Sequence, residues 1–114
     1  MSIKEVPDVE IDDSGIFKYV LIKATDKDNQ SKNIVRGNAS AEYHANVFEK
    51  TEKELKKKGI STECLGGGRI ERNGNVISVY GHSIGYGKAD HEVTVSILKK
   101  AFPSSKLTWS NEGY

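Results

Sequence analysis

The chain has 114 residues, with 17 Lys and Arg against 16 Asp and Glu and a formal net charge of +1. That length predicts a single domain with one core, and the near-neutral balance gives no overall field to attract nucleic acid or a membrane surface. No apolar run approaches a membrane span, the start Met1-Ser2-Ile3-Lys4-Glu5 lacks a secretory pattern, and Cys64 has no second cysteine to pair with, so a soluble cytoplasmic protein is expected.

Residues 1–15 interleave Asp8, Glu10, Asp12 and Asp13 with Val9 and Ile11 and end in Asp-Ser-Gly, which reads as an extended lead-in closed by a turn. Ile16 to Ala24 is rich in aromatic and β-branched residues at strand length, and Lys32 to Arg36 forms a second strand closed by Gly37. From Ser40 to Lys58, Val47, Phe48, Thr51 and Leu55 recur with a helical period while lysines crowd the later turns ahead of Gly59. A helix is predicted there, its basic end facing the negative end of the helix dipole.

Ile60 to Leu65 is the third predicted strand, Gly66-Gly67-Gly68 a bend, and Arg69 to Arg72 pairs with Val76 to Tyr80 across the hairpin signal Asn73-Gly74. A second helix runs from Ala89 or Asp90 to Ala101, with Val93, Ile97 and Leu98 on one side and Pro103 just beyond its end. Lys106 to Ser110 is a last strand. The expected order is ββαβββαβ: an α/β domain with a mixed sheet of about six strands and two packed helices.

Two features point to chemistry. Tyr80-Gly81-His82-Ser83-Ile84-Gly85-Tyr86-Gly87 joins a strand to a helix, and such a run lets backbone N–H groups and the Ser83 hydroxyl converge on an oxyanion; the same composition also serves a plain tight bend. His44 falls in the early part of the first helix. It either continues the apolar stripe as a core histidine or, kept neutral by the positive helix end, serves as base or nucleophile. Arg36 and Arg69 at strand ends and Lys18 on the first strand offer charge to a phosphoryl group, or are surface ion-pair residues. Cys64 has no helix start after it to lower its pKa and reads as a strand cysteine. His44, His82 and His91 show no metal-ligand spacing, and no metal is expected.

The stretches Phe17-Lys18-Tyr19-Val20-Leu21-Ile22, Ile34-Val35-Arg36-Gly37, Ala41-Glu42-Tyr43-His44-Ala45, Cys64-Leu65-Gly66-Gly67-Gly68-Arg69-Ile70, Val79-Tyr80-Gly81 and the ending Thr108-Trp109-Ser110-Asn111-Glu112-Gly113-Tyr114 closely resemble the Janus (sex-regulated) family of small phosphohistidine phosphatases. The resemblance runs from about Val6 to Tyr114. It implies a monomer without metal or organic cofactor that hydrolyses phosphohistidine in proteins, with phospholysine as a further substrate. It assigns His44 the catalytic role, the turn at Ser83, Ile84 and Gly85 the phosphate, and Lys18, Arg36 and Arg69 its positioning. The chain departs from the family pattern at His82, at Ile84-Gly85 and at Asn38-Ala39-Ser40, which bears on substrate preference. The other class of function open to this sequence is a phosphoprotein-binding module without turnover.

Overall fold

The computed structural model describes residues 1–112; Gly113 and Tyr114 of the C-terminal motif lie outside them. A 3-10 turn at Ile3–Glu5 precedes β1 (Val9–Glu10), β2 (Gly15–Thr25), β3 (Ser31–Asn38), α1 (His44–Lys56), β4 (Ser61–Asn73), β5 (Val76–Tyr80), α2 (His91–Ala101) and β6 (Lys106–Trp109). The strands form one sheet in the order β1-β3-β2-β4-β5-β6. The pairs β1·β3 and β5·β6 are parallel and the three central pairings antiparallel. The domain is therefore the expected mixed six-stranded α/β fold, with α2 forming the crossover between the parallel pair β5 and β6.

The element order differs from expectation in two places. Val9 and Glu10 pair with Val35 and Arg36, so the acidic lead-in adds a short edge strand whose formation depends on a partner far along the chain. Gly66-Gly67-Gly68 does not bend the chain away: β4 passes through all three residues, and only the register against β2 slips, where Leu21 faces Gly66 and Ile22 faces Cys64. Leu65 is the extra residue of that bulge. The predicted third and fourth strands are thus one long strand.

β2 is central, and both its faces are buried. Val20, Ile22 and Ala24 pack with Val47, Phe48 and Leu55 of α1, while Phe17, Tyr19 and Leu21 pack with Leu98 of α2. Alternate side chains of a strand point to opposite faces, so this one segment fixes a helix on each side of the sheet. No helix among the described residues is long and apolar enough to cross a membrane.

The helix starts position the site. α1 begins at His44, later than the predicted Ser40; the Asn46 side chain accepts from the Tyr43 N–H at 2.8 Å and the Asn46 N–H donates to the Tyr43 carbonyl at 3.0 Å. These bonds satisfy end groups that an α-helix leaves open, and they hold His44 as the first helical residue. α2 begins at His91, capped by Asp90, whose carboxylate accepts from the N–H groups of Glu92 and Val93.

Candidate active site

The cross-strand register places Lys18 directly opposite Arg69, and Arg69 opposite Tyr80. Residues facing one another across strands project from the same face, so two cations stand side by side on half-buried positions, an arrangement that favours negative charge nearby. They share that face with Val20 and hence with α1. An open cleft of about 720 Å³ lies there, lined by Lys18, Glu42, Tyr43, His44, Ala45, Arg69, His82, Ser83, Ile84, Gly85 and Tyr86. The start of α1, the middle of β2 and β4, and the glycine-rich turn converge on this one space.

His44 is only 9% exposed. Its Nε2 lies 2.8 Å from the Gly68 carbonyl oxygen. A carbonyl only accepts, so Nε2 carries the proton and, in the neutral ring, Nδ1 keeps the lone pair. Burial pushes the His44 pKa below its ordinary value of 6.5; the Gly68 hydrogen bond opposes that, while the positive fields of Lys18, Arg69 and His82 add to it. The ring is therefore neutral at pH 7, and the cations that attract an anion also help keep the imidazole unprotonated.

The turn after β5 is a closed loop. The Ser83 N–H donates to the Gly87 carbonyl at 3.0 Å, the Gly87 N–H donates back to Ser83 at 2.9 Å, and the Tyr86 N–H donates to Ser83 Oγ at 3.1 Å. Ser83 is almost fully buried; its hydroxyl oxygen braces the turn as an acceptor, leaving its own hydrogen to be donated. The N–H groups of Ile84 and Gly85 take no part in those bonds, which leaves the tip of the turn as its donor surface. The Tyr86 ring meets Phe48 of α1 edge-on, with centroids 5.7 Å apart, a contact of about 0.5–1.5 kcal/mol that presses the turn toward the helix.

Gly67 and Gly68 explain the unbroken strand. A Cβ at Gly67 would stand 2.7 Å from His44 Cδ2 and 3.1 Å from Ser83 Cβ, and one at Gly68 would stand 2.7 Å from His91 Cε1. The glycines let a histidine close on each face of β4.

The chain is similar to known proteins over nearly all of its length. The profile of the Janus/Ocnus family matches residues 3–106. The chain is 44% identical over 120 residues to the 14 kDa phosphohistidine phosphatase of Sus scrofa, covering 98% of this chain and 95% of that one. It is 43% identical over 117 residues to the human protein of the same name, covering 96% and 94%, and 47% identical over 111 residues to sex-regulated protein janus-A of Drosophila melanogaster, covering 96% and 82%. The chain belongs to the Janus/Ocnus family.

In this Janus/Ocnus chain the structure brings together His44, Lys18, Arg69, Ser83, Ile84 and Gly85, all named from the sequence. Arg36 is not with them. Its guanidinium donates to the carbonyls of Val35 at 2.9 Å and Pro7 at 2.8 Å and lies 3.7 Å from Glu10, beside a separate cavity of about 250 Å³ that also includes Val47, Thr51 and Glu54. The physical reason is register: Arg36 faces Val20, two residues along β2 from Lys18, which carries its side chain under α1 and buries it. Glu42, Tyr43 and Ala45 join the cleft without having been given a role in it, while His82 and Tyr86 enter it as part of the glycine-rich run already read as an oxyanion turn. Closeness in the chain to His44 was the available signal for the first three.

Cys64 is half-buried on β4 outside the cleft lining, and burial pushes its thiol pKa up, the opposite of an activated thiolate. Among the described residues, no three His, Cys, Asp or Glu side chains are grouped to hold a metal ion.

Proposed function

We propose that the protein is a protein phosphohistidine phosphatase that hydrolyses the P–N bond, acting on phospholysine as a further substrate. The observation that carries this reading is the Lys18–Arg69 cross-strand pair beside a neutral, tautomerically fixed His44. Two fixed cations and a donor-rich turn suit a phosphoryl dianion, and a lone pair at Nδ1 suits proton abstraction or attack on phosphorus. The names of the Sus scrofa and human relatives agree with it.

In this mechanism the tip of the 83–86 turn, Lys18 and Arg69 hold the phosphoryl oxygens while His44 Nδ1 lies in line with the P–N bond. Nδ1 either takes a proton from the attacking water and returns it to the leaving imidazole as the P–N bond breaks, or itself bonds to phosphorus as that bond breaks, the leaving imidazole taking a proton from solvent and a water then cleaving the phosphohistidine so formed. Because the phosphoramidate bond is weaker than a phosphate ester, orientation and charge stabilisation suffice, and no metal or organic cofactor is required. A monomer acting on phosphohistidine-bearing proteins in the cytoplasm completes the reading.

The test uses two peptides of one sequence, carrying phosphohistidine or phosphoserine. Release of phosphate from the first alone supports P–N selectivity. Tight binding of the first without release would replace the phosphatase reading with a binding module.

A further inference from the structure

His91 lies outside the cleft, yet it is 1% exposed and fully engaged. Its Nδ1 is 2.6 Å from the Tyr19 hydroxyl, which is also 3.0 Å from Thr94 Oγ1, and its Nε2 is 2.7 Å from the Gly81 carbonyl oxygen. The carbonyl fixes Nε2 as the donor, so in the neutral ring Nδ1 accepts from the Tyr19 hydroxyl, which in turn accepts from Thr94. The tautomer is determined along the whole chain of bonds.

Gly81 is where β5 turns into the anion-binding loop, and it has φ +78°. Glycine restricts its own backbone least, so the position of such a residue depends on the bonds made to it. Here its carbonyl is held by His91, and its N–H donates to the Glu112 carbonyl at 3.3 Å. Two residues later Ser83 begins the closed turn.

We propose that His91 is a positioning residue for phosphate binding, with Tyr19 and Thr94 orienting its ring so that Nε2–H fixes Gly81 and thereby the 83–86 turn. The inference rests on the reading of that turn as the phosphate site. Burying three polar side chains is costly unless all are satisfied, and a core serving packing alone is made at least as well by apolar residues. The network instead links the central strand and α2 to Gly81, the glycine between β5 and the 83–86 turn.

The test titrates inorganic phosphate into the folded protein and reads the amide resonances of Ile84 and Gly85, comparing His91→Gln with His91→Asn. The Gln amide nitrogen reaches the place of Nε2 and keeps the donor to Gly81, whereas Asn reaches only the place of Nδ1 and loses it. The expected result is near-native affinity for Gln and affinity weakened by roughly three- to tenfold for Asn, on the scale of one lost hydrogen bond. Tyr19→Phe, which removes the orienting hydroxyl with little change of shape, is expected to weaken phosphate in the same direction and serves if the Asn variant does not fold. Native-like affinity in Asn or Tyr19→Phe, whatever their melting temperatures, would overturn the positioning role. Failure of the wild-type amides to respond to phosphate would overturn the phosphate reading itself, and the positioning role with it.

Discussion

The His44 ring packs so closely on Gly67 that a Cβ there would lie 2.7 Å from its Cδ2. The same Cβ would lie 2.8 Å from the Tyr19 carbonyl oxygen, which belongs to the central strand. The ring is the softer neighbour, and it is the one that must yield.

Gly67→Ala is therefore expected to displace His44, lowering kcat/KM by at least about tenfold and destabilising the fold by about 1–3 kcal/mol, as overpacking does. At Gly85, also in the cleft, a Cβ meets nothing within 4 Å, so Gly85→Ala is expected to melt at the wild-type temperature. Steady-state kinetics and thermal unfolding of the two variants check the contrast.

Burial and the neighbouring cations lower the His44 pKa, and burial lowers that of His91. In both cases the unfolded chain binds the proton more readily than the folded one. The associated stability is fully present above about pH 6.5, the unfolded value, and is lost as pH falls from there through the depressed folded values. Unfolding free energy measured with denaturant between pH 7.5 and 4.5 should decline on the acid side, and less steeply in His91→Gln. Removing a cation in Lys18→Met should raise the His44 titration midpoint, read from its imidazole resonances. An unchanged or lower midpoint would contradict the electrostatic account of the cleft.

Arg36 and Arg69 should separate cleanly. Arg69 faces the cleft opposite Lys18, so Arg69→Met is expected to weaken inorganic phosphate by about tenfold or more, one charge-assisted contact. Arg36 is buried among the Val35 and Pro7 carbonyls and Glu10; Arg36→Met is expected to cost about 2–4 kcal/mol of stability, since it strands buried acceptors, while phosphate affinity in the folded protein is kept. Phosphate titration and denaturant unfolding of both variants read the two effects independently.

Much of this was legible in the residues, where local signals agree with the tertiary outcome. Aromatic and β-branched residues from Ile16 to Ala24 announce a strand, and in the fold Phe17, Tyr19 and Leu21 face one core while Val20, Ile22 and Ala24 face the other. The hairpin signalled by Asn73-Gly74 closes through Gly74 and Asn75, with Gly74 at φ +59°, and Asp90 with Pro103 brackets α2. What was not legible depends on partners distant in the chain. Three successive glycines look like a bend until the Lys88–Ala89 backbone at Gly66, His44 at Gly67 and His91 at Gly68 are seen to occupy the space their side chains would take. β1 exists only because β3 offers it an edge, and the side on which Arg36 is buried follows from register rather than composition. The cleft was readable as a set of residue types; its edge at Tyr43 was not.

The measurement that tests the central claim most directly is phosphate release from a phosphohistidine peptide in excess EDTA, comparing the wild-type protein with a folded His44→Ala variant. The account predicts sustained turnover by the wild type and its loss in the variant, with inorganic phosphate still bound by Lys18, Arg69 and the turn. Turnover that EDTA abolishes, or that survives the loss of His44, would contradict it.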